Sequence, residues 1–411
     1  MKRAPDPTLG EFHDSEHLEL KRVPPRRVLI FGSVTHIWSD LFFALLVPLL
    51  PYIKEDLELS YSQVGLLRSF YSGSSALLQI PAGFLAETMG EFWMITIGNI
   101  WVSAGLIVMG IVPGFLTLLG SSVVAGVGGG TQHPLASSMV SRAYDSSGRS
   151  AAVGTVNFAG DIGKMMAPAV AASFVIAGGW RIAMWAVGIA GNIFFTFLII
   201  FGRSFDPGKP EPHSQSASRN ALTHDEKTSV SGFVVLTGIG ILDSAARNAA
   251  LIFFPFIMLG RSMGESEVVI SLLLLFSGGA AGKYICGWLN DRTGTIPLIW
   301  LTKGGTSLLL LAALFAPSLL LWPIALVLGV GLNGTSSVLY ATVAKFIPAH
   351  RRGRYYGYFY TTNEIGTIGA PLIYGLIADL LGLKSSIFIM AVLTSSILPT
   401  SLALKKHLVR T

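Results

Sequence analysis

Apolar residues in this chain run in long unbroken blocks, not in the alternating or one-faced patterns of a soluble fold. Twelve blocks exceed about 18 residues, the length at which a buried core helix gives way to a span of a hydrocarbon layer roughly 30 Å thick. They cover 28–53, 62–85, 92–112, 115–141, 151–178, 181–202, 231–258, 266–289, 296–316, 319–346, 353–381 and 385–404. Each predicts a membrane-spanning helix, because a helix satisfies its own backbone groups where no water can.

The blocks form two sets of six that repeat one pattern. Residues 126–168 match 329–371 at a constant offset of 203, from Gly126-Val127-Gly128 on Gly329-Val330-Gly331 to Pro168 on Pro371. Within that register Asp161 falls on Glu364, Gly163 on Gly366 and Asp40 on Asp243, and at an offset of 204 Gly83–Glu87 falls on Gly287–Asp291. Two homologous halves with six spans each are the plan of one large transporter class. The expected fold is therefore an all-α membrane protein of twelve transmembrane helices in two pseudo-symmetric six-helix bundles. Its expected organisation is a tail at 1–27, a first bundle at 28–202, a linker at 203–230, a second bundle at 231–404 and a short tail at 405–411. Residues 1–27 are polar and contain proline without an apolar core, so they predict a tail and not a signal peptide.

Composition sharpens this picture. Charged residues make up 13% of the chain and the mean hydropathy is +0.61, against about 25% charged for a soluble protein. With both termini cytoplasmic, twenty lysines and arginines lie on the inner side and four on the outer, which satisfies the positive-inside rule. The expected location is the inner or plasma membrane. The basic pI then reflects contact with anionic lipid and not nucleic acid. Cys286 is the only cysteine, so no internal disulfide or cysteine-based zinc site is expected. Gly329-Val330-Gly331-Leu332-Asn333-Gly334 spells G-x-G-x-x-G in mid-membrane with no strand before it, which reads as helix packing. No Walker A sequence or zinc-protease pairing is present. No enzyme activity, metal or cofactor is expected, and the chain is expected to act as a monomer.

The loop after the eighth span reads Gly287-Trp288-Leu289-Asn290-Asp291-Arg292-Thr293-Gly294, or G-x-L-x-D-R-x-G. Its first-half counterpart, Gly83-Phe84-Leu85-Ala86-Glu87-Thr88-Met89-Gly90, has Glu87 for Asp and lacks the basic residue. This motif resembles that of the major facilitator superfamily, where it follows the second and often the eighth span. The resemblance implies a gate built from Gly83, Glu87, Gly90, Gly287, Asp291, Arg292 and Gly294, with Asp291 as a breakable latch. A narrower resemblance joins His36-Ile37-Trp38-Ser39-Asp40 and the run Gly128–Thr131 ending Gln132-His133-Pro134 to fosmidomycin-resistance-type exporters. It implies proton-coupled export of a small drug.

Ionisable residues at membrane depth cost roughly 2.5–3.5 kcal/mol each even on insertion scales, so they usually face a water-filled cavity. Here they are Asp40, Arg68, Asp161, Lys164, Asp243, Arg247, Lys283, Lys303 and Glu364. Eight fall on spans that line the cavity in the superfamily. Lys303 is the exception and is expected near the cytoplasmic end, where it could snorkel. Asp161 with Lys164 and Asp243 with Arg247 share helix faces, so each pair is either an inert salt bridge or a working one. Asp40 and Glu364 lack a basic neighbour at helical spacing. They are the first candidates for proton carriage, followed by Asp161 and Asp243, with His36 as a relay. Each acid could instead be structural.

Pro134 should bend the fourth span. Gln132 and His133 then either satisfy the carbonyls it frees near Gly129–Gly130 or turn toward cargo. Lys164, Arg247 and Lys283 suggest an anionic or phosphonate-like substrate, with Asn157 and Asn363 as further binding residues. The alternative is that these cations only balance the acids and the cargo is neutral. The expected function is secondary active transport, with proton-coupled export of a drug or anionic metabolite first. Proton-symport uptake of a small organic anion is the alternative, and a non-transporting membrane sensor is further off.

Overall fold

The computed structural model describes residues 23–144, 146–208, 229–347 and 352–408. The first half contains α1 (Pro25–Asp56), α2 (Tyr61–Met89), α3 (Glu91–Ile111), α4 (Phe115–Val127), α5 (Gln132–Ala143), α6 (Ser146–Gly178) and α7 (Trp180–Phe201). The second half contains α8 (Val230–Leu259), α9 (Glu265–Thr293), α10 (Thr295–Ile299), α11 (Gly305–Phe315), α12 (Leu321–Phe346), α13 (Arg352–Leu381), α14 (Leu383–Ser395) and α15 (Ile397–Leu408). α4 with α5, α10 with α11, and α14 with α15 each make one crossing, which gives twelve in two six-helix bundles. Ten of these crossings are long and apolar enough to span a membrane by length and composition. The second and fourth fall outside that set because serines and glycines dilute their apolar runs. The end tail at 405–411 is partly helical, since α15 continues to Leu408. The first tail through residue 22 and most of the linker, 209–228, lie outside the described residues.

Four tight turns repeat through the fold. Gly90, Gly179, Gly294 and Gly382 each join two helices with no residue to spare, at φ 89°, 90°, 82° and 85°. They follow the second, fifth, eighth and eleventh crossings at the repeat offsets. A positive φ is strained for a residue with a Cβ, so the closing glycines of both loop motifs are set by backbone geometry.

Among the described residues, the apolar contact between the two halves is concentrated at one end. A single apolar cluster combines Leu46, Leu49, Leu50 and Ile53 of α1 with Ile252, Phe253 and Phe256 of α8 and Leu272 of α9. This is the end away from the chain termini. On the termini side the core divides. One cluster holds Phe31, Ala86, Phe92 and Met139, and another holds Phe233, Leu339, Phe346 and Phe359. Contacts along α2 follow the same gradient. A Cβ at Gly65 would lie 2.1 Å from the Pro371 carbonyl oxygen, one at Gly73 would touch Ile368 at 3.5 Å, and one at Gly83 would meet nothing. Gly154, Gly287 and Gly357, near the termini ends of the fifth, eighth and eleventh crossings, are equally open. The bundles therefore enclose a cleft that opens toward the termini.

Asp379 ties the closed end. Its carboxylate accepts hydrogen bonds from the Tyr61 and Ser62 backbone N–H groups, both at 2.8 Å. These are among the N–H groups that the first turn of α2 leaves without helical partners. A carboxylate there also complements the helix dipole, so α13 of one half caps α2 of the other.

Candidate functional site

The fourth crossing breaks before its proline. Gly128–Thr131 form a 3-10 turn between α4 and α5, and Thr131 Oγ1 donates to the Gly128 carbonyl at 3.0 Å. Past the break, residues 132 and 133 begin α5 and point about 100° apart around its axis. Gln132 is fully buried, donating from Nε2 to Thr35 Oγ1 at 3.1 Å and accepting from Asn99 Nδ2 at 2.9 Å. Its backbone N–H donates to the Gly129 carbonyl, but its side chain belongs to the wall behind the cleft and does not turn toward cargo. His133 does, with half of its side chain exposed.

His133 meets the two polar residues of α1. His36 Nε2 lies 3.0 Å from His133 Nδ1, and His133 Nε2 lies 3.5 Å from Asp40 Oδ1. The arrangement is satisfied when His36 donates from Nε2 and His133 carries its proton on Nε2, facing Asp40. His36 is buried, and its Nδ1 has no hydrogen-bond partner among the described residues. Gly160 of α6 lets this cluster form, because a Cβ there would lie 2.3 Å from Asp40 Oδ2.

Asp40 has a cation after all. Lys164 Nζ reaches from α6 to within 2.9 Å of Asp40 Oδ2, off the hydrogen-bonding direction, so the contact is an ion pair. Helical spacing within α1 could not reveal this partner, which comes from another crossing. Lys164 also approaches Asp161 at 3.4 Å. The tighter partner of Asp161 is Lys283 of α9, whose ammonium donates to both carboxylate oxygens at 2.6 and 2.8 Å. Asp40, Lys164, Asp161 and Lys283 thus form one chain of alternating charge that crosses from the first bundle to the second. Lys283 is the counter-ion of an acid on another crossing, and that acid is Asp161, not Glu364.

The second half differs from its sequence reading in two places. Lys303 does not snorkel. It sits in a π-helical turn, Trp300–Gly304, between α10 and α11, and is fully buried. Its ammonium lies 2.5 Å from Asp243 and donates to the Gly331 carbonyl at 3.1 Å. The extra residue of a π turn shifts the side-chain register, which carries Lys303 into the bundle. Asp243 consequently does not pair with Arg247. That guanidinium donates to Ser244 Oγ at 3.2 Å. Glu364 is partly buried and makes no ion pair among the described residues, with Arg247 and Arg68 acting on it from further away. Arg68 itself donates to the Phe43 carbonyl at 3.1 Å. Asn157 is exposed on α6, whereas Asn363 is buried with its carboxamide oxygen against Gly240.

Of the expected gate residues, Glu87 is exposed and the Arg292 guanidinium stacks 3.7 Å from the Trp288 ring centroid. The Asp291 side chain lies outside the described residues. The acid that α3 uses is Glu91, one residue past the first motif. It is buried, pairs with Arg142 of α5 and accepts from Ser138 Oγ at 2.7 Å. Sequence reading missed Glu91, Asp379 and Asn99. The adjacency of Glu91 to Gly90, which starts a new helix, was the one available signal.

Two six-helix bundles around a one-ended cleft, with paired charges at its mid-depth, define a membrane transporter. The chain belongs to the Major Facilitator Superfamily, whose profile matches residues 32–371 and 236–406. It is similar to the fosmidomycin resistance protein of Escherichia coli (strain K12), with 23% identity over 355 residues covering 84% of this chain and 85% of that one. The hexuronate transporter of Bacillus subtilis (strain 168) is 22% identical over 370 residues, covering 83% and 85%. Among solved structures, a bacterial homolog of the human lysosomal transporter Spinster, inward-facing and unoccupied, superposes with a TM-score of 0.78 at 16% identity. That match covers 94% of this chain and 98% of the other. The protein is a transporter of small organic molecules.

Proposed function

We propose that this transporter exports a small organic anion in exchange for protons. One observation carries the reading. In the charge chain the cations face the cleft and the acids lie behind them. Lys164 and Lys283 are 36% and 35% exposed, while Asp40 and Asp161 are 4% and 10% exposed. A cargo entering the cleft therefore meets ammonium groups first, and an anion can share them with the buried carboxylates. Both relatives described above are named for organic solutes, and a hexuronate is an anion.

Protons act on the same chain. A proton on Asp40 removes the partner that holds Lys164 at 2.9 Å. Lys164 then turns fully to Asp161, 3.4 Å away, and competes with Lys283 for it. Protonation thereby weakens the bond between the bundles, while His36 and His133 give the proton a path from the cleft. An anion acts on the same bond, because it competes with the carboxylates for Lys164 and Lys283, so either ligand alone releases the bundles. With the termini cytoplasmic, as the twenty-to-four distribution of basic residues supports, the cleft opens to the cytoplasm where an exporter collects cargo.

Proteoliposomes with an imposed pH gradient test this. Phosphonates, sugar acids and aromatic carboxylates are expected to move against the proton gradient, and neutral drugs of equal size are not. The relation to a hexuronate transporter favours a second reading, proton-symport uptake, in which anion and proton move the same way. The direction of proton flux during anion movement separates the two.

A further inference from the structure

We propose that Lys303 is a positioning residue for the cargo site: by holding Asp243 in a buried ion pair it keeps that carboxylate off Arg247 and leaves the guanidinium free for an anion. The proposal rests on the reading that the cargo is anionic. Asp243 and Arg247 are one turn apart on α8, the spacing at which acid and base pair on one helix. They do not pair here. Asp243 is 2% exposed and its partner Lys303 is 0% exposed, so this ion pair lies behind the cleft wall. Arg247, which is only partly buried, is left with Ser244 Oγ at 3.2 Å and the distant Glu364.

The internal repeat shows that this placement is specific to the second half. Asp243 is the counterpart of Asp40. In the first half, the acid receives its cation from the cleft side, from Lys164, and the position behind it is Asn99, bonded to Gln132. In the second half these two positions exchange character. The counterpart of Lys164 is Thr367, which accepts from Asn248 at 3.2 Å, and the counterpart of Asn99 is Lys303. The histidines of the first cluster are also missing, since Ile239 and Ser336 stand where His36 and His133 would fall. The same acid thus faces a titratable cluster in one half and a sealed lysine in the other. One result is a half specialised for protons and a half whose Arg247 makes no ion pair among the described residues. The π turn at Trp300–Gly304 that admits Lys303 is the backbone feature that makes the exchange possible.

The test compares four variants in nanodiscs by calorimetric titration with glucuronate and with phosphonoformate. Arg247→Gln is the reference and is expected to lose affinity by roughly tenfold, the scale of one charge-assisted hydrogen bond. Lys303→Met is expected to lose about as much, because Asp243 then turns to Arg247. Asp243→Asn, which breaks the same pair but leaves no carboxylate to capture Arg247, is expected to bind both anions as the wild type does. The double variant Asp243→Asn with Lys303→Met is expected to do so too, and it keeps the proposal testable should Lys303→Met alone fail to fold. A merely structural ion pair would weaken Lys303→Met and Asp243→Asn alike, and that result would overturn the proposal. So would wild-type affinity in Lys303→Met, or weak binding in the double variant. Wild-type affinity in Arg247→Gln would instead remove the anion site from this part of the cleft and with it the reading on which the proposal rests.

Discussion

Replacing Lys283 by Gln should loosen the two bundles by an amount the structure lets one work out. The ammonium makes two charge-assisted hydrogen bonds to Asp161, at 2.6 and 2.8 Å. Bonds to charged groups contribute about 1.5–3 kcal/mol net, and solvent-exposed ion pairs about 0–1 kcal/mol. Lys283 is 35% exposed and Asp161 only 10%, which places this bridge near 1.5 kcal/mol, about the lower end of the buried range. Asp161 is not orphaned by the change, since Lys164 remains 3.4 Å away, so no large desolvation cost is added. At about 1.4 kcal/mol per factor of ten, the conformation open toward the termini should lose roughly tenfold in population. Spin labels at Glu87 and Arg292, both exposed at the termini ends of α2 and α9, report this opening in a Cys286→Ala background. Pulsed electron resonance should show the long-distance population falling in Lys283→Gln relative to the parent. An unchanged distance distribution would mean that the bridge holds equally in both states and does not gate the cleft.

Asp40→Asn should leave the protein folded and abolish the pH dependence of transport, read as cargo counterflow persisting while proton-driven accumulation disappears. Asp379→Ala removes two hydrogen bonds to the start of α2. It should shift the same spin-label distances in the same direction as Lys283→Gln, by a factor of about two to twelve at 0.5–1.5 kcal/mol for the helix cap. Glu91→Gln leaves Arg142 without its carboxylate and should lower the melting temperature in detergent. Its cost is about 1.5–3 kcal/mol for the charge-assisted bond, while anion affinity stays that of the wild type.

How much of this was legible in the sequence follows from the range of each interaction. Span lengths, the repeat and the glycine turns are local or periodic, and the twelve crossings lie where the apolar runs placed them. The cleft's ionisable residues were also visible, because charge at membrane depth stands out against an apolar background. Their partners were not. Helical spacing offered Asp161–Lys164 and Asp243–Arg247, yet the shorter contacts are Asp161–Lys283 and Asp243–Lys303, both between crossings. Asp40 was expected to be unpaired for the same reason, and Lys164 of α6 supplies its cation. Lys303 went astray because a π turn cannot be read from hydrophobic periodicity that assumes 3.6 residues per turn. Gln132 and His133 are adjacent and both polar, and the rotation of α5 about its own axis, which packing against α1 and α3 sets, decides that one faces the core and the other the cleft.

The most direct test of the central claim records proton and cargo movement together. Proteoliposomes loaded with a pH-sensitive dye and a radiolabelled organic anion are given an inward proton gradient. The account predicts anion leaving as protons enter, with both fluxes lost in Asp40→Asn and anion counterflow retained. Anion movement that neither acidifies the lumen nor responds to the gradient would contradict it.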